Sequence, residues 1–491
     1  MSKETLQEQP FLSDQSSAPR DSVPLFVDLD GTLIKTDLLI ESAFFLLKKQ
    51  PWMLLVMLYW LVYGKARLKE EIAKRSVFDF SVLPLQKEFV EFLHNEAKNG
   101  RTLYLATASD RRLAEPVAKR LGIFKEVLAS DGHRNLKGVR KLEAILACCK
   151  DSAFDYAGNE RVDLAIWAKA RRAIVVNPDI GVIAAARKRG YVVQRVFDDR
   201  PPIAKTWIRA FRIHQWAKNV LLGVPILTAH AFNFSAIAEI VAAFTAFGLV
   251  ASATYLLNDL LDLVSDRHHP RKCKRPFAAG DIGLASGILA MIILFGAGFG
   301  MAVQLSDYFL FTLLAYLGLT ISYSFYFKRI VLIDVLLLAS LYTIRIVAGA
   351  YAIEVPVSSW LLGFSMFLFL SLALVKRCTE LIAMQRLSRE TMKGRDYQVS
   401  DYPMLSAMGV AAGYISILVL ALFISDPESA SKYSYPDLLW LLCPLMAYWV
   451  SRLWLKTSRG EMHDDPLIFS LKDQASWIVF INMMMVTLVS I

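Results

Sequence analysis

Apolar and polar positions follow two regimes along this chain. Up to about residue 200 the mixture is that of an ordinary soluble domain. From about residue 219 onward the chain is dominated by apolar blocks close to the ~20 residues that a helix needs to cross hydrocarbon. Nine can be marked, at 219–235, 237–257, 282–303, 307–327, 330–352, 359–375, 405–425, 437–455 and 474–490. The pattern predicts a soluble N-terminal domain and a C-terminal all-α membrane bundle of about nine transmembrane helices, with the boundary near Arg200, Pro201 and Pro202.

Composition agrees. Of 491 residues, 55% are hydrophobic and 12% aromatic, and mean hydropathy is +0.40, more apolar surface than one soluble core needs. Lys205, Arg209, Arg212 and Lys218 precede the first block, and five cations follow the second. Lys328 and Arg329 follow the fourth, and Lys376, Arg377, Arg386, Arg389, Lys393 and Arg395 the sixth. Lys456 and Arg459 follow the eighth, whereas the intervening loops carry only Lys432. That alternation predicts an inner-membrane protein with its N-terminal domain in the cytoplasm and its C-terminus outside. Topology and anionic lipid use up the net charge of +10, so no nucleic-acid partner is implied. Residues 1–22 are polar, lack the apolar core of a secretory signal, and read as a disordered tail. Cys148, Cys149, Cys273, Cys378 and Cys443 show no metal-binding or redox spacing and read as reduced thiols.

The stretch NDLLDLVSDRHHPRKCKRP, residues 258–276, stands at the end of the second block. On a helix continuing from that block, Asp259, Asp262 and Asp266 lie at i, i+3 and i+7 and share one face, with Asn258 beside the first. Carboxylates so placed repel one another unless a cation joins them, and magnesium with oxygen ligands is the usual solution. Arg267, Arg271, Lys272, Lys274 and Arg275 then suit phosphate oxygens, arginine by bidentate contact. Ionisable groups at membrane depth point to function rather than to lipid headgroup pairing alone.

The pattern NDxxDxxxDxxHPxKxxRPxAAG at 258–280 resembles the first aspartate-rich motif of the UbiA-type prenyltransferase superfamily. Within it, HQWAKNVLL (214–222), YLLNDLLDLVSDRHHPRKCKRPFAAG (255–280) and SLYTIRIVAGA (340–350) look most like decaprenyl-phosphate phosphoribosyltransferases. The resemblance covers about 203–491 and implies transfer of ribose 5-phosphate from phosphoribosyl pyrophosphate to a polyprenyl phosphate. It further implies magnesium held by Asn258, Asp259 and Asp262, with Asp266, Arg267, Lys272 and Arg275 on the substrate. The alternative is the commoner reaction of the superfamily, in which a prenyl group passes from a prenyl diphosphate to an aromatic or other small acceptor. That reaction calls for a second acid pair on a later span, whereas YSFYFKRIVLIDVLLLASLYTIR (323–345) offers the lone Asp334. The same helix face carries Asp334, Tyr342 and Arg345, with Tyr323 and Lys328 just before, a set suited to a sugar phosphate. Asp334 and Arg345 could instead pair only to fix helix packing. Lys218, Lys376 and Arg377 serve either topology or phosphate binding, and HDDPLIFSLKD (463–473) offers carboxylates without an assigned role.

In the soluble part, VPLFVDLDGTLIKTD (23–37) is an apolar strand ending in Asp-x-Asp-Gly-Thr. Two carboxylates at the C-terminal edge of a strand stand where open α/β sheets bind ligands. The motif resembles the haloacid dehalogenase (HAD) superfamily, and the resemblance, over 23 to about 195, implies a Rossmann-like α/β phosphatase domain at 23–200 with a helical cap at about 38–95. Asp28 is then the nucleophile and Asp30 the acid and base. LYLATASD (103–110) supplies Thr107 for the phosphoryl group, LKGVRKL (136–142) supplies Lys141 or Lys137, and FDYAGNERVDLAIW (154–167) supplies Asp163, which holds magnesium with Asp28 and Asp30. Asn159 stands where the first acid of that last motif is generally found, so the domain is either an active phosphatase or a regulatory one.

Within the cap, PWMLLVMLYWLVYG (51–64) is too short to span. It is either cap core or a surface docking on the bilayer or on the transferase half, and its tryptophans and tyrosines favour docking. KARLKEEIAKR, which follows, reads as a solvated helix face. The two halves together suggest sequential chemistry: the membrane half makes a 5-phosphorylated lipid-linked ribose and the phosphatase removes the 5-phosphate. A lipid-phosphate-binding scaffold with both sites degenerate is the non-enzymatic alternative.

Overall fold

The computed structural model describes residues 23–76, 80–131, 134–386, 396–462 and 465–491. The predicted tail at 1–22, the loop cations Arg389, Lys393 and Arg395, and His463 and Asp464 lie outside the described residues. The chain forms two compact units. The first combines Met1–Trp207 with Asp259–Ser286, and the second combines Ile208–Asn258 with Gly287–Ile491.

The first unit is built on six parallel strands: β1 (Leu25–Val27), β2 (Leu103–Asp110), β3 (Glu126–Ser130), β4 (Asp155–Gly158), β5 (Arg172–Val176) and β6 (Val193–Phe197), in the order β3-β2-β1-β4-β5-β6. All three residues of β1 are buried, because a central parallel strand is covered on both faces. Chain order reverses beside β1, so the crevice at its C-terminal edge is the site such a sheet offers a ligand. Leu29, Leu33 and Leu38 join the sheet in one core.

Four helices follow β1 before β2: α1 (Leu38–Lys49), α2 (Met53–Val62), α3 (Lys65–Arg75) and α4 (Lys87–Lys98). Leu46, Met53, Met57, Trp60 and Ile72 gather a separate small core from α1 to α3. The cap core is therefore confined to residues 38–75, because Phe89 and Leu93 turn α4 onto the sheet core instead. Val264, from the stretch after the second apolar block, also packs on the sheet core.

Among the described residues of the membrane half, seven helices are long and apolar enough to cross a bilayer. They include α5 (Phe234–Leu261), which α6 (Leu263–Arg267) follows, then α7 (Leu284–Ala302), α8 (Asp307–Phe325), α9 (Ile333–Ala352), α10 (Ser359–Arg386), α11 (Tyr402–Ser425) and α12 (Leu442–Ser458). An eighth crossing arises if α13 (Pro466–Lys472) and α14 (Gln474–Ser490), bent by 84°, form one span. The count of nine is thus approximate. The first predicted block, 219–235, is not one α-helix: an 11-residue 3₁₀ segment, Ile213–Gly223, runs into the five-residue helix Val224–Thr228. Together these rise by about 30 Å, so the segment is long enough to traverse hydrocarbon without regular α-geometry.

Candidate functional site

At the edge of β1, Asp28 Oδ1 lies 2.9 Å from Lys141 Nζ and accepts the backbone N–H of Leu29 at 2.8 Å. Lys141 also donates to the Tyr156 hydroxyl at 3.1 Å, whereas Lys137 pairs only loosely with Glu160, at 3.9 Å. Asp30 accepts the N–H of Leu38, first residue of α1, at 2.9 Å, and the Ser109 hydroxyl. Burial pushes the Asp28 carboxyl up to about 6, with Lys141 opposing the rise and the Asp163 charge adding to it. Burial and the Asp37 charge push Asp30 further, to about 7, against its bonds to Ser109 and Leu38. Both neighbouring acids are thus held above the ordinary carboxylate range, Asp30 further than Asp28, the ordering that a proton donor beside a nucleophile requires.

These groups line an open cleft of about 90 Å³ that also takes in Asp37, Lys69 and Lys137. Thr107 is placed differently from expectation: it sits within β2, fully buried, and its hydroxyl accepts the N–H of Ser109 at 3.0 Å. Ser109 is the hydroxyl at the cleft. Asp163 accepts Tyr156 at 2.9 Å on one oxygen and the N–H groups of Asn159 and Glu160, each at 2.9 Å, on the other. Asn159 Oδ1 accepts the Thr32 hydroxyl at 3.0 Å. The mutual repulsion of Asp28 and Asp163 marks a place that a cation would relieve, and the oxygen donors suit magnesium. Among the described residues, no three His, Cys, Asp or Glu side chains are gathered closely enough to ligate a metal.

At the end of α5 the helix carries Asn258 and Asp259, then breaks at Asp262, which caps α6. The distortion is local, since the Asp266 N–H still bonds to the Asp262 carbonyl at 2.8 Å. Arg275 Nη1 stands between Asp259, at 3.1 Å, and Asp266, at 2.6 Å. Asp262 takes Lys48 of α1 at 2.7 Å. Every acid of the stretch therefore holds a cation, and carboxylate oxygens of this kind suit magnesium. Burial raises the Asp266 carboxyl, with Arg275 opposing. Arg267 does not face outward to a phosphate: it forms a buried pair with Glu41 of α1 and donates to the Ala278 carbonyl at 3.0 Å. Lys272 lies in the short 3₁₀ turn Lys272–Lys274. Gly280 closes the segment with φ +76, where an added Cβ would stand 2.7 Å from the Lys35 carbonyl oxygen.

In the second unit, the segment 214–222 supplies a buried polar cluster. Trp216 Nε1 donates to Ser252 at 2.9 Å, and the Leu222 backbone lies so close to Gly349 of α9 that a Cβ there would meet its carbonyl oxygen at 2.1 Å. Between those anchors Lys218 pairs with Asp465 at 2.5 Å and stands 5.5 Å over the Tyr342 ring. Asn219 Oδ1 accepts Arg345 at 3.2 Å, and Arg345 also donates to the Tyr316 hydroxyl at 3.2 Å. Lys376, on α10, feels the charges of both Lys218 and Asp465. Asp334 does not join this face and does not pair with Arg345. It is fully buried against Arg377 at 2.7 Å and also takes the Tyr397 hydroxyl. Tyr323 and Lys328 lie at the end of α8 and in the turn Phe327–Arg329.

Several participants carry no signal in local spacing. Asp465 lies in the stretch without an assigned role, and only folding brings it to Lys218. Lys69 was hidden in a helix that reads as solvated, yet its ammonium donates to the Ala108 carbonyl at 2.9 Å and lines the cleft. Glu41, Lys48, Asn219 and Tyr397 lie far in sequence from their partners. Trp216 and Asn219 sit inside HQWAKNVLL, where an unusual run of polar residues in an apolar block was the available clue.

Comparison with known proteins now adds to this geometry. The UbiA prenyltransferase family matches residues 220–472, more than half of the chain, and haloacid dehalogenase-like hydrolase matches residues 25–152. The uncharacterized protein y4nM of Sinorhizobium fredii is 36% identical over 459 residues, covering 93% of this chain and 89% of that one. Nodulation protein NoeC of Azorhizobium caulinodans is 33% identical over 278 residues, 57% of this chain and 91% of its own. A decaprenyl-phosphate phosphoribosyltransferase of Corynebacterium glutamicum is 33% identical over 210 residues, 41% of this chain and 63% of its own. The chain belongs to the UbiA prenyltransferase family and is a multi-pass membrane protein that carries a HAD-like domain at its N-terminal end.

Proposed function

We infer that the membrane half transfers 5-phosphoribose from phosphoribosyl pyrophosphate to a polyprenyl phosphate, and that the HAD-like domain then removes the 5-phosphate. The observation that carries the first step is the placement of Asp334. Transfer from a prenyl diphosphate calls for a second metal-binding acid pair in this region, and here the single carboxylate is sealed against Arg377 and Tyr397. The neighbouring polar cluster offers donors instead, from Lys218, Arg345, Tyr316 and Tyr342, which suit phosphate and sugar oxygens. The reaction for which the Corynebacterium relative is named agrees with this reading.

Magnesium held by Asn258, Asp259 and Asp262 would neutralise the departing pyrophosphate. Lys272 and Arg275 supply fixed positive charge around the same acids. In the HAD-like domain, Asp28 attacks phosphorus as the carboxylate, kept charged by Lys141. Asp30 gives its proton to the departing alcohol and later takes one from the water that opens the aspartyl phosphate. Lys69 and Lys137 hold the remaining anionic oxygens of the substrate at the cleft mouth. On this reading the N-terminal domain faces the cytoplasm, the side on which the loop cations gather.

The test is a transfer assay on membranes holding the full chain, with magnesium, polyprenyl phosphate and labelled phosphoribosyl pyrophosphate. Label enters the lipid fraction with the wild type and not with Asp259→Asn. Consumption of a prenyl diphosphate, with no label in lipid, would assign the chain to prenyl transfer. For the second step, Asp28→Asn leaves the 5-phosphorylated lipid to accumulate, whereas wild-type product loses it.

A further inference from the structure

We propose that α2 of the cap is a bilayer-docking helix, which lies in the interface of the membrane with its outer face in lipid. Met53, Met57 and Trp60 turn inward to the cap core. The opposite face is as apolar and has no cover among the described residues: Leu54, Leu55, Leu58, Leu61 and Val62 are exposed, Leu55 to 71% and Val62 to 84%. A helix apolar on all sides belongs in a core or in lipid, and a ten-residue helix is too short to cross. Trp52, Tyr59 and Tyr63, exposed at the rim of the same face, are the side chains that favour the headgroup level.

Charge selects the occupant. Between Glu41 and Glu70 there is no acidic residue, while Lys49, Lys65 and Arg67 flank the apolar face at its two ends. That complements an anionic lipid surface, which attracts basic groups lying close to it. Chain connectivity supplies the distance. α1, which leads into α2, ends with Lys48 bonded to Asp262 at 2.7 Å and to Ser265 at 3.2 Å. Asp262 is one residue beyond Leu261, the end of α5, which is long and apolar enough to cross a bilayer. The cap is thus tied within a turn of a membrane exit, and a peripheral helix at that depth meets headgroups and the first methylenes of the acyl chains. A second copy of this chain is the competing occupant, but its equally basic face would repel the first.

The experiment places benzoylphenylalanine at Leu55 and, separately, at Val62 in the full chain, in vesicles of phosphatidylethanolamine and phosphatidylglycerol. Lys119, exposed on the helix Arg111–Leu121 of the same unit, takes the same probe as the control. Irradiation followed by mass spectrometry of the labelled peptides reads the adduct. Lipid adducts at 55 and 62, about ten-fold above the control, support the proposal. Adducts to a second copy of the chain, or adducts at 55 and 62 no more frequent than at 119, overturn it. Amide hydrogen exchange of the unmodified protein gives an independent reading. Residues 53–62 exchange more slowly as the phosphatidylglycerol content of the vesicles rises, and exchange indifferent to that content overturns the proposal.

Discussion

Lys48 Nζ lies 2.7 Å from Asp262 Oδ1, joining the last turn of α1 to the acid-rich turn of the transferase. The other end of α1 donates Leu38 N–H to Asp30 of the phosphatase-type site. One twelve-residue helix therefore touches both sets of acids, and a lysine occupies the place where magnesium is proposed to bind. Both side chains are partly exposed, so the pair contributes no more than about 1 kcal/mol. Replacing Lys48 with Met is expected to lower the magnesium concentration that half-saturates lipid labelling by about two- to five-fold, since a competitor of that strength is gone. A magnesium titration of the transfer assay reads it.

The pair Glu41–Arg267 differs in kind because both side chains are buried. Arg267→Met leaves a carboxylate unpaired in a dry setting and is expected to lower the stability of the first unit by about 3 kcal/mol. The double variant with Glu41→Gln recovers most of that loss. Chemical unfolding followed by tryptophan emission separates this from a substrate contact, which would move the Michaelis constant and leave stability alone.

Phosphatase activity is expected to trace a bell over pH. Below about 6 Asp28 gains a proton and ceases to be a nucleophile. Above about 7 Asp30 loses the proton that it must give to the leaving group, so the rate falls again. The Ser109 hydrogen bond lowers the Asp30 value, and Ser109→Ala is therefore expected to move the alkaline limb to higher pH without moving the acid limb. A pH–rate profile of 5-phosphate release for both forms checks the sign.

In the membrane half, Asp334 and Arg345 should respond oppositely. Asp334→Asn keeps hydrogen-bonding atoms toward Arg377 and Tyr397, so labelling of lipid persists within about ten-fold while thermal stability falls. Arg345→Met removes a donor from the polar cluster at Asn219 and Tyr316 and is expected to reduce transfer by about 100-fold. An equal loss in both variants would return Asp334 to the reacting set.

How much of this could be read beforehand depended on the range of each interaction. DLDGT is a local motif, and strand β1 with Asp28 and Asp30 at its edge follows from an apolar run and a glycine turn. The long helices likewise report themselves through length and apolarity. The acid face after α5 was readable only as helical spacing, whereas the partner of Asp262, Lys48, lies 214 positions away. Asp334 and Arg345 looked like partners because both lie on one helix, yet eleven residues separate them by about three turns. Arg377 on the next helix is the nearer cation. Thr107 was expected at the phosphoryl site as the hydroxyl of its motif. The strand runs past it, and the hydroxyl that lines the cleft is that of Ser109.

The first compact unit is assembled from two separate stretches of chain, Met1–Trp207 and Asp259–Ser286, with one apolar excursion between them. A gene fragment ending at Pro202 would encode every strand of the sheet and all the DLDGT chemistry. It would also leave Glu41 without Arg267, Lys48 without Asp262, and the sheet core without Val264. The sheet domain of this chain is therefore completed by residues that follow its first apolar excursion, and a cut at the apparent domain boundary would remove them.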